Sequence, residues 1–141
     1  CIIGAGHNGL KMAMTFLMEQ PEAFTNFILY DRRPEVGGTS WWQQANHTTR
    51  LQTEVGVYHL EYHERNGWPE TASEDPWPSR DKLLAHFKEV SEKFGILPYC
   101  QMNTNVTKLN IIGKDYWEQM YELVLDRKGD ESIARVASVA L

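Results

Sequence analysis

Gly4-Ala5-Gly6-His7-Asn8-Gly9 is a Gly-x-Gly-x-x-Gly run near the start of the chain, and an acid, Asp31, follows about 20 residues on. A second glycine pair, Gly37-Gly38, comes next, with Thr39 and two tryptophans behind it. Residues of these types at these spacings suit one task, the holding of a dinucleotide. Gly4 lets the chain turn out of a strand, Gly6 lets phosphates approach bare backbone, and Gly9 lets a helix pack closely on that strand. The helix N-terminus then offers unpaired N–H groups and partial positive charge to a pyrophosphate, and a carboxylate at Asp31 accepts from ribose hydroxyls.

The glycine pattern alone also describes an ordinary loop, so its flanks decide. Cys1-Ile2-Ile3 is an apolar run suited to a buried parallel strand. Leu10, Ala13, Met14, Leu17 and Met18 recur at helical spacing, and Gln20-Pro21 ends the pattern. Phe27-Ile28-Leu29-Tyr30 supplies a second strand with Asp31 at its C-terminal end, where a βαβ unit presents its ribose ligand. The plainer alternative for Asp31 is a turn residue. Arg32 and Arg33 read either as solvated charge or, for Arg32, as a side chain over the adenine or beside the ribose. Gly37-Gly38 after Asp31 is the arrangement of FAD-binding rather than NAD-binding units; a Gly-Gly turn among buried aromatics is its alternative.

The chain has 141 residues, one domain's worth, with 42% hydrophobic, 23% charged and 11% aromatic residues. A formal charge of −5 gives a nucleic-acid partner no electrostatic support. No apolar stretch approaches the roughly 20 residues of a membrane helix. Two cysteines, Cys1 and Cys100, have neither metal nor redox spacing, which favours a reducing, cytoplasmic compartment. Residue 1 already lies inside the expected first strand, and a strand-like run from Ala134 stops at Leu141. Both ends are therefore expected to be cut, with residues 1–141 forming part of an FAD-binding domain.

Arg32 to Pro78 shows no sustained periodicity beyond an alternation at Val55, Val57 and Tyr58, yet it holds Trp41, Trp42, Trp68 and Trp77. Irregular stretches of this length are usually functional, and so many aromatics argue against a disordered linker. A helix follows. Ser79 caps it, Asp81 lies in its first turn, and Leu83, Leu84, Phe87, Val90 and Phe94 form its apolar stripe. Gly95 and Ile96 close it, and His86 falls at its edge. From Leu97 the pattern turns to strands at 98–102, 106–112, 117–125 and 132–141, with turns at 113–115 and 127–130. The fold expected is α/β, a Rossmann-like FAD/NAD(P)-binding unit whose parallel sheet is followed by an antiparallel meander.

In this order the motifs resemble the N-terminal FAD-binding part of the flavin-containing monooxygenases, a superfamily with N- and S-oxygenating, YUCCA-type and Baeyer–Villiger branches. The resemblance rests on Gly4 to Leu10, on Tyr30-Asp31-Arg32-Arg33 leading into Gly37-Gly38-Thr39, and on Thr49-Arg50-Leu51-Gln52-Thr53. It continues in Trp77-Pro78-Ser79-Arg80 with its helix through Gly95, and in Asn103-Thr104-Asn105-Val106. It implies that Gly4, Gly6 and Gly9 face the FAD pyrophosphate within a loop completed by Ala5, His7 and Asn8. Asp31, with Arg32 beside it, would hold the adenosine ribose. Gly38, Thr39 and Trp41 would lie along the flavin side, Gln52 and Thr53 near the isoalloxazine, and Val106 against the adenine through its backbone.

The chain departs from the family pattern in places. Asp31 stands where the family usually has Glu, and Ser40 intervenes in the common Gly-Gly-Thr-Trp, leaving open which of Trp41 and Trp42 takes the tryptophan's place. The signature that separates the branches and the second glycine motif, for NADPH, are expected beyond Leu141. The activity implied is oxygenation of a small nucleophilic or ketone substrate by O2, with FAD and NADPH as cofactors. No residue presents itself as an acid, base or nucleophile, and His59 and His63 lack the helix that would make them a metal pair. Two other functions fit the same residues: another FAD oxidoreductase, of thioredoxin-reductase or amine-oxidase type, or a non-catalytic module that keeps the fold.

Overall fold

The computed structural model describes residues 1–24, 26–53 and 77–140. The alternation at Val55, Val57 and Tyr58, and the residues His59, His63, Trp68 and Leu141, lie outside the described residues. A three-stranded parallel sheet carries the site: β1 (Ile2–Ile3), β2 (Leu29–Tyr30) and β3 (Cys100–Gln101), in that order. Its register sets Ile2 against Leu29 and Leu29 against Cys100. Helix α1 (His7–Glu19) links β1 to β2, burying Leu10, Ala13 and Met14 at the helical repeat. Met18, expected in the same stripe, is exposed, while Phe16 and Leu17 of the same turn pack against the core. It falls about 80° round the helix from Leu10, at the edge of the stripe.

Helix α2 (Arg80–Lys93) packs Leu83, Phe87 and Val90 into the same core as Ile2, Leu10, Met14, Phe27 and Leu29. Its ends follow the sequence signals. Ser79 Oγ accepts from the Lys82 N–H at 3.5 Å, a cap of about 1 kcal/mol at full strength. At the far end the Ile96 N–H donates to Ser91 C=O at 2.8 Å and the Gly95 N–H to Glu92 C=O at 3.1 Å, the paired closure of a Schellman motif. Ile96 is thereby delivered to the core, fully buried.

The second sheet is an antiparallel meander of β4 (Asn105–Ile112), β5 (Met120–Arg127) and β6 (Asp130–Val136). Lys128 and Gly129 turn the β5–β6 hairpin with φ of 56° and 98°, the sign pair of a type I′ turn that suits the twist of the strands. The meander touches the parallel sheet through Leu123 and Leu125, which cluster with Tyr30.

Three strand expectations change. The run 98–102 does not open the meander: Leu97–Tyr99 is a 3-10 turn, and Cys100–Gln101 pairs in parallel with β2. A helix crossover separates it from β2, so it arrives in the same direction. The run 117–125 begins later, since Tyr116–Glu118 is a 3-10 turn and Trp117 is 81% exposed. The last run divides. β6 ends at Val136, and Ala140 returns to the free edge of β1, accepting from the Ile3 N–H at 2.8 Å and donating to Cys1 C=O at 2.9 Å. No helix among the described residues is long and apolar enough to cross a membrane.

Candidate functional site

The loop between β1 and α1 is fixed from below. The Gly4 N–H donates to Tyr30 C=O at 2.8 Å, and Gly4 turns with φ +103°, a region that side-chain-bearing residues rarely adopt. A Cβ on Gly9 would sit 1.9 Å from the Gly4 carbonyl oxygen, so helix and strand approach as closely as backbone allows. The residue between, Ala5, is buried and held on both sides. Its N–H donates to Asp31 Oδ2 at 2.7 Å, and its carbonyl accepts the Gly37 N–H at 2.8 Å. The first glycine loop is thus tied to the acid at the end of β2 and to the second glycine pair.

That pair meets the first loop glycine to glycine. A Cβ on Gly38 would lie 3.0 Å from Gly6 Cα, and one on Gly6 would lie 3.4 Å from Gly38 Cα. Gly6 is also the residue before α1, whose first turn has neither a side-chain cap nor an acidic residue. Its leading N–H groups and the positive end of the helix dipole open into a cleft of about 360 Å³. Gly4, Gly6, His7, Asn8, Gly9, Asp31, Gly38, Thr39 and Trp41 line this cleft, together with Ile3, Gly37 and Ser40.

A second cleft, of about 290 Å³, shares Ile3, Gly4, Asp31 and Thr39 with the first and adds Tyr30, Arg32, Thr104, Asn105 and Val106. The resemblance puts Asp31, Arg32 and Val106 together at the adenosine end; Tyr30, Thr104 and Asn105 stand in the same motifs without a site role. Tyr30 adjoins Asp31, Asn105 adjoins Val106, and Thr104 lies two residues before Val106. Ala5 faces neither cleft and acts behind the loop. Gln52 and Thr53 are exposed and line neither of these two clefts.

The electrostatics fit a binding site. Asp31, 7% exposed, accepts from the Ala5 N–H on Oδ2 and from the Arg33 N–H on Oδ1 at 2.8 Å. A carboxylate offers about four acceptor positions, so two remain for hydroxyl donors. Arg32 Nη2 donates to Thr39 Oγ1 at 3.2 Å across the rim shared by the two clefts. Burial holds the His7 imidazole below the ordinary histidine value, with Asn8 acting against this and Lys11 adding to it. Burial raises the Cys100 thiol to about 11, helped by the negative charge of Asp31, so Cys100 is a protonated thiol at neutral pH.

The two tryptophans separate. Ser40–Gln44 forms a π-helical turn in which the Ala45 N–H reaches Ser40 C=O at 2.8 Å. Trp41 lines the first cleft, whereas Trp42 Nε1 donates to Val36 C=O at 2.8 Å and packs beneath Gly37. Among the described residues no cluster of three or more His, Cys, Asp or Glu could hold a metal ion. Bare backbone amides at a helix start beside an acceptor-rich carboxylate suit an anionic ligand bearing hydroxyls.

No family model matches the chain. Over 105 residues it is 28% identical to the FAD-binding monooxygenase ktnD of Aspergillus niger, a match covering 74% of this chain and 16% of the relative. Over 108 residues it is 24% identical to a Baeyer-Villiger monooxygenase of Streptomyces coelicolor, covering 77% and 19%. Among solved structures it superposes on cyclohexanone monooxygenase from Rhodococcus sp. Phi1 bound to NADP+ with a TM-score of 0.69 and 19% identity, over 98% of this chain and 24% of that one. OTEMO in an FAD-bound form gives 0.70 at 20% identity, with the same coverage. Steroid monooxygenase bound to NADP gives 0.69 at 21%, over 94% and 24%. The chain therefore shares their fold, and it spans less than a fifth of the length of the curated relatives it matches.

Proposed function

Similarity to the flavin-dependent monooxygenases, in sequence and in fold, is the premise from which we propose that the chain is the FAD-binding portion of an NADPH- and O2-dependent monooxygenase. Its substrate is a small nucleophilic compound or a ketone. The observation that carries this reading is the contact of Gly6 with Gly38 beneath the uncapped start of α1, with Asp31 beside it. The residues present fit an FAD: backbone without side chains where phosphates lie, an acceptor-rich carboxylate for the ribose, and Thr39 with Trp41 toward the flavin.

When bound, FAD supplies the redox and oxygen-transfer chemistry, with NADPH as reductant. The chain's own residues bind, orient and shield. The α1 N–H groups and Gly6 hold the pyrophosphate, and Asp31 orients the adenosine ribose. The backbone near Val106 meets the adenine, and Trp41 walls the flavin end and excludes water. NADPH is assigned to a part of such an enzyme other than these 141 residues.

Gly6→Val in the full polypeptide tests the reading. Gly6 has an ordinary φ of −83°, so the substitution adds bulk at the cleft floor without backbone strain. The expected result is folded protein that has lost FAD; a variant retaining the flavin absorbance of the wild type overturns the pyrophosphate assignment.

A further inference from the structure

The second cleft is walled by both sheets, and the joint between them is the short connector from β3 to β4. Its inner side is stitched to the end of β2: the Thr104 N–H donates to Asp31 C=O at 2.8 Å, and the Asn103 N–H donates to Arg33 C=O at 2.8 Å. Its outer side is held by Arg127, the last residue of β5. Arg127 Nε donates to Thr104 Oγ1 at 2.9 Å, and Nη2 donates to Gln101 Oε1. One edge of a guanidinium therefore spans the connector, gripping the last residue of β3 and the residue just before β4.

Three observations make this grip more than surface decoration. Thr104 is 1% exposed, so its hydroxyl, which itself donates to Met102 C=O at 3.2 Å, depends on Arg127 for the bond it accepts. Asn103, between the two gripped residues, has φ of 53°, a left-handed conformation that its surroundings must maintain. Thr104 and the Asp31 whose carbonyl it binds both line the cleft. The planar fork of Arg delivers two donors at a fixed spacing, which a Lys ammonium does not. The Arg127 charge also reaches the cleft wall, where it opposes the effect of burial on the Tyr30 phenol.

We propose that Arg127 is a positioning residue for the adenosine end of the dinucleotide, acting from the meander through Thr104 and Gln101 on the wall that contains Asp31. The proposal rests on the FAD reading above and adds a residue to it that lines neither cleft. Sequence reasoning passed over Arg127 as the first residue of a turn.

The experiment is titration of apo full-length protein with FAD and, separately, with ADP, for the wild type, R127A, R127K, T104S, T104V and the R127A/T104V pair. R127A is expected to weaken both ligands by about tenfold. R127K restores little, T104S binds like the wild type, and the double variant is no weaker than the poorer single one, because both changes break one linkage. The visible spectrum of bound FAD, which reports the isoalloxazine at the other end, is unchanged in R127A; a general loosening of the fold would move it. Binding by R127A within about twofold of wild type, or additive losses in the pair, overturns the proposal. Should R127A not fold, the contrast between T104S and T104V decides it. Wild-type protein that binds neither FAD nor ADP overturns the dinucleotide reading and this proposal with it, whereas wild-type binding with an indifferent R127A removes only the role of Arg127.

Discussion

The parallel sheet and the meander distribute their residues in opposite ways. Each parallel strand pairs over only two residues, yet Ile2 and Leu29 are fully buried and the loops around them carry most of the site. The meander has strands of seven and eight residues, paired along their length save for a register shift between Val106 and Lys108, yet it leaves Ile111 and Ile133 exposed and contributes one corner, near Thr104 to Val106. Precision at the site therefore comes from backbone packed to the limit of contact, not from the length of hydrogen-bonded strand. Long ladders confer local order; close approach fixes the amides that a ligand would meet.

The sharpest way to break this contrast is Gly9→Ala. Its methyl would meet the Gly4 oxygen at 1.9 Å, so α1 must shift off β1. A loss of about 3 kcal/mol is expected by denaturant unfolding, together with loss of FAD. If stability holds within experimental error, the packing of helix on strand is not what fixes the loop.

A second test probes the buried side of the parallel sheet through Cys100, in a Cys1→Ser background. Its folded pKa of about 11 lies above the ordinary value of 9.0. The native state thus holds its proton longer than the unfolded chain does. The associated stability is complete below pH 9 and is lost as pH rises toward 11. Alkylation at pH 8 should run slower in folded than in unfolded protein by about tenfold or more, the smaller thiolate fraction outweighing the greater nucleophilicity of a more basic thiolate. Equal rates would mean that the thiol is open to solvent. The smallest effect belongs to the meander: Ile133→Thr, at a site 63% exposed, should change stability by no more than about 0.5 kcal/mol and leave FAD affinity alone. A larger loss would make that face part of an interface.

Much of the parallel half was readable in the sequence, because its signals are local. Gly4, Gly6, Gly9 and Asp31 sit at a spacing set by one helix and two strands, and Ser79 and Gly95 mark the ends of α2 by chemistry confined to one turn. What escaped depends on partners distant in sequence. Nothing in Cys100-Gln101 states that it pairs beside β2, and nothing in Ala140 states that it returns to β1. Trp41 and Trp42 are chemically alike, and only the path through the π-helical turn sends one to the cleft and the other under Gly37. Gln52 and Thr53, placed near the flavin by resemblance, are exposed at the edge of the described residues. Arg127 carried no motif at all; its significance lies in reaching back to Gln101 and Thr104.

The clasp on Ala5 has a kinetic consequence. With its amide claimed by Asp31 and its carbonyl by Gly37, the bend is held by bonds from within the chain itself. Little chain freedom is left to surrender on association. Capture should then be governed by diffusion and by stripping water from the guest's phosphates, and the slow event, where there is one, is escape.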